Sequence, residues 1–225
     1  MNKSKFLEYF DATEVCKKPV HIVGCGSIGS NVAEQLVRMG VEKFHLWDFD
    51  KVESHNIANQ MFFHHQIGMS KVDAVEEIML DINPQIKITK HPEGCKENEI
   101  MNGYIFLCVD KIDLRRSLVN ANKMNPNCKC FHDFRTRLTD AQYYFADRSN
   151  PEQVEALLQS MDFTSEEATE ATPMSACGVT LSVEYTVKSI VCRGIANHVA
   201  YCLEQPVKTM MLDNFNLQCV DSFPM

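Results

Sequence analysis

Apolar residues follow two alternating rhythms along the chain. Residues 19–24 (PVHIVG) form a short β-branched run that stops at glycine, which predicts a buried strand. In residues 27–40, Ile28, Val32, Leu36 and Met39 fall at helical spacing and Gly40 closes the segment. Residues 43–48 predict a second strand, so the opening is one βαβ unit. Residues 49–68 show no clear period and read as a long loop with one helical turn, a length that inside a compact domain usually serves function. A helix is predicted over 69–82, stopped by Asn83-Pro84. A weak strand at 86–89, a strong one at 104–109, a helix at 112–124 and a strand at 128–133 continue the alternation. Residues 138–145 predict a strand antiparallel to the others. The Glu-, Ser- and Thr-rich stretch 146–177 reads as a mobile crossing loop. Residues 178–203 carry Val179, Val183, Val187, Ile190, Val191, Ile195 and Val199 in helical register, a buried helix that also offers an oligomer face, and 206–225 gives two short strands. The expected class is α/β: a Rossmann-like, mostly parallel sheet with helices on both faces and a partly antiparallel C-terminal part. One domain over 1–225 is expected, with a core at 20–145, the crossing loop at 146–177 and a C-terminal helix and strands at 178–225.

Composition narrows the function. A net charge of −8 argues against broad contact with nucleic-acid phosphates. The N-terminus lacks the pattern of a signal peptide, and no apolar run approaches the ~20 residues of a membrane span, so a cytoplasmic protein with no membrane partner is expected. The ten cysteines are scattered, several of them inside apolar segments, which predicts unbridged buried thiols in a reducing compartment. There is no CxxC pair, and Cys128 and Cys130 have no second matching pair, so spacing predicts no structural zinc site.

Gly24-Cys25-Gly26-Ser27-Ile28-Gly29 is a G-x-G-x-x-G sequence that leaves a strand and enters a helix. Gly24 permits the tight turn, Gly26 lets a phosphate approach the backbone, and Gly29 lets helix and strand pack closely. The helix start then offers free N–H groups to an anion. Asp48 ends the second predicted strand, where an acid hydrogen-bonds ribose hydroxyls of NAD or ATP equally well. Asp50 would share its side of an extended chain. Asn56 and Gln60 follow, and Lys71 opens the next helix. A lysine reaching back to phosphates has no use in a dehydrogenase but suits a nucleotidyl transferase, which must neutralise charge on departing pyrophosphate. Asp110 ends the 104–109 strand on the same rim, where an acid suits Mg²⁺. His64 and His65 read as solvated loop histidines.

Four ordered blocks, GCGSIGSN, LWDFDKVESHNIANQ, IGMSKVDAVEEIMLDINP and VDKIDLRR, resemble the adenylation domain of the ThiF, MoeB and HesA family and of ubiquitin-activating enzymes. The resemblance covers residues 20–120 well and the remainder loosely. It implies an ATP-dependent adenylyltransferase that activates the C-terminal glycine carboxylate of a ubiquitin-like or sulfur-carrier protein, working as a homodimer with Mg²⁺. By this resemblance Gly24, Gly26, Ser27 and Gly29 form the phosphate loop, and Asp48 holds the ribose. Asp50, Asn56 and Gln60 lie near the phosphates, Lys71 binds them, Asp110 holds the magnesium, and Arg115 is structural. Cys177 matches the loop cysteine that bonds to the activated carrier. Two departures stand out. Asn59 occupies the position of the family's usual arginine, and residues 1–37 contain no arginine to donate across a dimer. A neutral amide does not replace a bidentate cation, so Lys17, Lys18, Arg135 and Arg137 are the candidates to compensate. The departures also leave open a non-catalytic ATP-binding partner subunit or scaffold of a heterodimer, and the glycine motif with Asp48, taken alone, fits an NAD(P) oxidoreductase more remotely.

Overall fold

In the computed structural model, which describes residues 1–170, 182–216 and 219–223, the alternation becomes a sheet covered on both faces. In chain order the elements are α1 (Ala12–Val15), β1 (Val20–Val23), α2 (Ser27–Arg38), β2 (Lys43–Trp47), two 3-10 turns (Ser54–Ala58 and His64–Gln66) and α3 (Lys71–Ile82). Then come β3 (Lys87–His91), β4 (Gly103–Leu107), α4 (Ile112–Asn122), β5 (Cys128–Thr136), β6 (Asp140–Asp147), α5 (Pro151–Gln159), α6 (Ser165–Glu170), α7 (Glu184–Cys202), β7 (Met210–Asn214) and β8 (Cys219–Phe223). The strands lie in the order β3-β2-β1-β4-β5-β6-β7-β8. The first five in that order are parallel and the last three antiparallel, the α/β class expected from the sequence.

All four residues of β1 are buried, because a central parallel strand is covered on both faces. One face packs under α2, α3 and α7, with Val32, Leu36, Val75, Ile190 and Val191 against Ile22, Phe44 and Phe106. The other packs under α4 and α5, with Leu118, Val119, Val154 and Leu157 against Ile105 and Phe131. Gly194 lets α7 lie close to the sheet, since a Cβ there would meet the Phe134 ring at 2.3 Å.

The crossing loop expected at 146–177 is largely helical where it is described. Asn150 caps α5 by accepting the N–H groups of Glu152 and Gln153, Pro151 occupies the first turn, and Val154 and Leu157 are buried. The polar composition masked this start signal. The helix expected from residue 178 begins at Glu184, with Val183 as its cap. Chain 49–68 holds two 3-10 turns rather than one, each closed by a side chain, Asn56 or Gln66, that accepts a backbone N–H three residues earlier.

On the α4 side of β1, β2 and β3, His21, His45, Trp47 and His91 stack, with Trp47 and His91 rings 3.5 Å apart. Both His21 nitrogens are engaged: Nδ1 accepts the Trp47 indole N–H at 3.3 Å and Nε2 lies 3.1 Å from the Asn102 carbonyl. This fixes a neutral tautomer. Burial, reinforced by His45, holds His21 down to about 3 from 6.5. The unfolded chain takes up a proton that the folded protein refuses, so the stability from neutral His21 is complete above pH 6.5 and is lost as pH falls toward 3. Denaturant titrations across that window are expected to lose up to about 1.4 kcal/mol per pH unit from this group. His21→Gln should show a shallower slope than the wild type; identical slopes would rule His21 out as the source.

Candidate functional site

The rim at the C-terminal ends of β2, β1, β4 and β5 is set by register. Trp47 pairs with Val23, Val23 with Leu107, and Leu107 with Asp133, so β2, β1 and β4 finish in one row while β5 runs on to Thr136. The strand order reverses between β1 and β4, the place where open α/β sheets leave a crevice.

Gly24 turns the chain out of β1 with φ +92°, and a Cβ there would lie 2.9 Å from the backbone of Cys108 and Val109. The glycine loop therefore rests on the end of β4. A Cβ on Gly29 would stand 1.8 Å from the Gly24 carbonyl oxygen, so only glycine lets α2 start this close to β1. Gly26 differs: it caps α2, and the nearest atom to a Cβ there is Gln60 Oε1 at 4.0 Å. That Oε1 is buried and has no hydrogen-bond partner among the described residues. An open backbone position facing an unsatisfied carboxamide is what a polar ligand occupies, since a buried polar group left unpaired costs about 1–3 kcal/mol.

Hydrogen bonds tie the loop to its surroundings. Ser27 Oγ donates to the Asn59 carbonyl at 2.8 Å, and Ser30 Oγ accepts the Met61 N–H at 3.2 Å. Asp48 Oδ2 accepts the Cys25 N–H at 2.7 Å, and its Oδ1 accepts the Asp50 N–H at 2.8 Å. The chain thus turns after Asp48 instead of continuing extended, and Asp48 grips the glycine loop from the side. Burial pushes the Asp48 carboxyl up, against the pull of those two N–H groups and of Lys71. Lys71 is buried, with Nζ 2.9 Å from Asp50 Oδ2, while its own N–H donates to the Asp50 carbonyl. Asp50 is half exposed, so this ion pair is weak, and among the described residues it leaves two amine donors free. The charge of Lys71 is felt at both Asp48 and Cys25, which places it beside the glycine loop.

Asp110 is exposed beyond β4. Its loop is held from beneath by Arg115, whose Nε donates to the Val109 carbonyl at 2.7 Å and whose Nη1 bonds Asp133 and, at 2.6 Å, the Phe134 carbonyl. Asp133 is fully buried and also takes Arg135 Nε at 2.7 Å. The structural part expected of Arg115 is therefore what the geometry gives it.

The four candidate substitutes for the absent arginines fare differently. Lys17 and Lys18 precede β1 and stand at the opposite end of the sheet, about 13 Å of strand from the glycine loop. Arg135 is turned away, donating to the Ser160 carbonyl at 2.7 Å and stacking over Tyr144 at 4.4 Å. Arg137 is exposed. Two cations that sequence reasoning passed over, Lys51 beside Asp50 and Lys111 beside Asp110, are exposed at the rim itself. Their only sequence signal was adjacency to the acids. His64 and His65 are exposed in the second 3-10 turn, His65 paired with Glu77 at 2.8 Å. Cys177 lies outside the described residues.

The ThiF family model matches residues 11–132, more than half of the 225-residue chain. The chain belongs to the ThiF family. Ubiquitin-like modifier-activating enzyme 5 of Branchiostoma floridae is 49% identical over 73 residues, 32% of this ThiF chain and 18% of that enzyme. Its counterpart in Caenorhabditis briggsae is 42% identical over 82 residues, 36% of this chain and 19% of that enzyme. The chain thus spans about a fifth of the length of these curated relatives. Among solved structures, E. coli MccB with ATP aligns with a TM-score of 0.72 at 15% identity, covering 95% of this chain and 65% of MccB. PaaA aligns with a TM-score of 0.73 at 14% identity, covering 93% of this chain and 64% of PaaA. These two likenesses are likenesses of fold. No described helix of this ThiF protein is long and apolar enough to cross a membrane.

Proposed function

We propose that this ThiF-family chain, as one adenylation domain over 1–225, binds Mg·ATP and adenylates the C-terminal carboxylate of a ubiquitin-like or sulfur-carrier protein. The observation that carries the reading is the open Gly26 backbone facing the unpartnered Gln60 carboxamide, with Lys71 beside the same loop. The solved fold relative MccB was crystallised with ATP, and another of its structures holds MccA.

When bound, the nucleotide supplies an activated α-phosphorus whose leaving group is pyrophosphate. The chain's own part is positioning and charge. The N–H groups of Gly26, Ser27 and the α2 start receive phosphate oxygens. Asp48 accepts ribose hydroxyls with the lone pairs its two backbone bonds leave free. Gln60, whose carboxamide can present either end, and Asn56 and Asn59 orient the phosphates beside Asp50. Lys71 directs its two free donors at the charge that grows on pyrophosphate. Asp110, on a loop braced by Arg115, holds Mg²⁺. Lys51 and Lys111 supply the cations that the absent arginines would have contributed. Cys177 is the nucleophile that captures the activated carrier, and two copies of the chain form the working unit.

A second reading, a non-catalytic ATP-binding partner subunit or scaffold of a heterodimer, is favoured by one observation: Arg115 and Arg135, the arginines nearest the rim with described partners, are engaged with Asp133 and backbone carbonyls. Two measurements separate the readings. Mg·ATP at 100 times its Kd is expected to stabilise the chain by about 2.7 kcal/mol in thermal unfolding, with NAD inert. Isotope exchange between pyrophosphate and ATP is expected with at least one member of a panel of ubiquitin-like and sulfur-carrier proteins ending in glycine. Stabilisation without any exchange would hand the chain to the second reading, and stabilisation by NAD instead would defeat both.

A further inference from the structure

At the other end of the sheet, under α7, five side chains suited to a soft cation gather in two overlapping sets: Cys16, His198 and Cys202, and Cys130, His132 and His198. Cys16 Sγ and Cys202 Sγ lie 3.7 Å and 3.6 Å from His198 Nε2. A tetrahedral zinc held at about 2.3 Å by sulfur and about 2.0 Å by imidazole sets each S···N separation at about 3.5 Å. All three ligand atoms lie within 4.8 Å of one another, and the Tyr104 hydroxyl contacts both sulfurs.

The second nitrogen of His198 is prepared as well. Nδ1 lies 3.1 Å from His132 Nε2, and His132 Nδ1 lies 2.8 Å from the Tyr143 hydroxyl, which accepts Asn197 Nδ2–H at 3.1 Å. A metal-bound imidazole needs its other N–H donated to a fixed acceptor, which sets the tautomer and the ring plane. Read outward from Nε2, His198 donates to His132 and His132 donates to Tyr143, which leaves the His198 Nε2 lone pair aimed between the sulfurs. The same relay decides between the two sets. Cys130 Sγ is 3.3 Å from His132 Nε2, but with the relay in this direction that nitrogen accepts from His198 and offers no lone pair to a metal. Cys202 is only partly buried, so an ion has a path in.

We infer that Cys16 Sγ, Cys202 Sγ and His198 Nε2 form a zinc site, with the fourth position facing the Tyr104 hydroxyl and filled by it or by a water. Zinc binding displaces both thiol protons to solvent and forms two Zn–S bonds and one Zn–N bond, with no change in oxidation state. The ion joins Cys16, at the end of α1, to His198 in the last turns of α7 across 182 residues of sequence, so it clamps the N-terminal segment onto the fold. The site stands apart from the nucleotide rim and does not depend on the proposed adenylation.

The test uses the full chain, purified with thiols reduced. Elemental analysis is expected to find about one zinc per chain after growth with added zinc, and less than about a tenth of that in Cys16→Ser and Cys202→Ser. Cys192→Ser, an exposed cysteine elsewhere on α7, keeps its zinc. Cobalt titrated into metal-free wild type is expected to give the intense thiolate charge-transfer and visible d–d absorption of a tetrahedral site. This arm needs no variant, so misfolding of a serine mutant cannot obscure the answer. Wild type that takes up neither zinc nor cobalt overturns the inference, and so does Cys202→Ser that retains a full complement.

Discussion

Lys71→Ala is expected to slow pyrophosphate exchange by about 100-fold or more, with whichever carrier supports it in the wild type. The loss should fall on kcat as well as on KM, because the amine is assigned to charge that grows as pyrophosphate departs. Its effect on unfolding should be small. Asp50, the partner left behind, has a half-exposed side chain and can be solvated once the lysine is gone. A mid-point within about 4 °C of the wild type, corresponding to about 1 kcal/mol, is therefore expected by differential scanning calorimetry. Equal exchange rates for wild type and variant would remove Lys71 from the mechanism. A collapsed fold would instead show that its pairing with Asp50 is a structural matter.

The second large effect separates two glycines of one motif. In Gly29→Ala the new methyl lies 1.8 Å from a backbone oxygen of Gly24, so α2 must lift from β1, and no flexible side chain is there to give way. Overpacking of this severity should cost about 3 kcal/mol or more and lower the melting mid-point by about 10 °C. Gly26→Ala meets nothing nearer than 4.0 Å, and its φ −78° and ψ −143° lie outside the regions alanine favours at a cost of about 1 kcal/mol, so it should melt within about 4 °C of the wild type. Its methyl nevertheless fills the space opposite Gln60, and stabilisation by Mg·ATP should disappear. A Gly26→Ala protein that still responds fully to Mg·ATP would show that the nucleotide does not approach this backbone.

The fold around the glycine loop is legible where local sequence carries the geometry. Gly29 is glycine because of a neighbour five residues away, and β1, α2 and β2 follow from short β-branched and aromatic runs and from the helical spacing of Ile28, Val32 and Leu36. Asp48 was read as an acid facing ribose, which left unforeseen that it would take the Cys25 and Asp50 N–H groups and so brace the loop it faces. Helix α5 went unread because its Asn150-Pro151 start and its Val154–Leu157 pair sit in a stretch dominated by polar residues. Lys17 and Lys18 were counted as possible phosphate ligands from charge alone, and strand direction sends them to the wrong end. The Cys16, Cys202 and His198 cluster was invisible to spacing rules, which assume that ligands arrive in close pairs.

The sequence alone determined the α/β alternation, the glycine loop and the acids and lysine that follow it, because burial periods and tight turns are local and each is written within a few residues. Which groups meet was decided only by the tertiary structure. The register of Trp47, Val23, Leu107 and Asp133 brings Asp48, Gly24 and Asp110 to one rim, and the return of α7 beneath the sheet carries His198 and Cys202 to Cys16. Such contacts arise from the order in which strands pair, a property of the whole chain that no local pattern encodes.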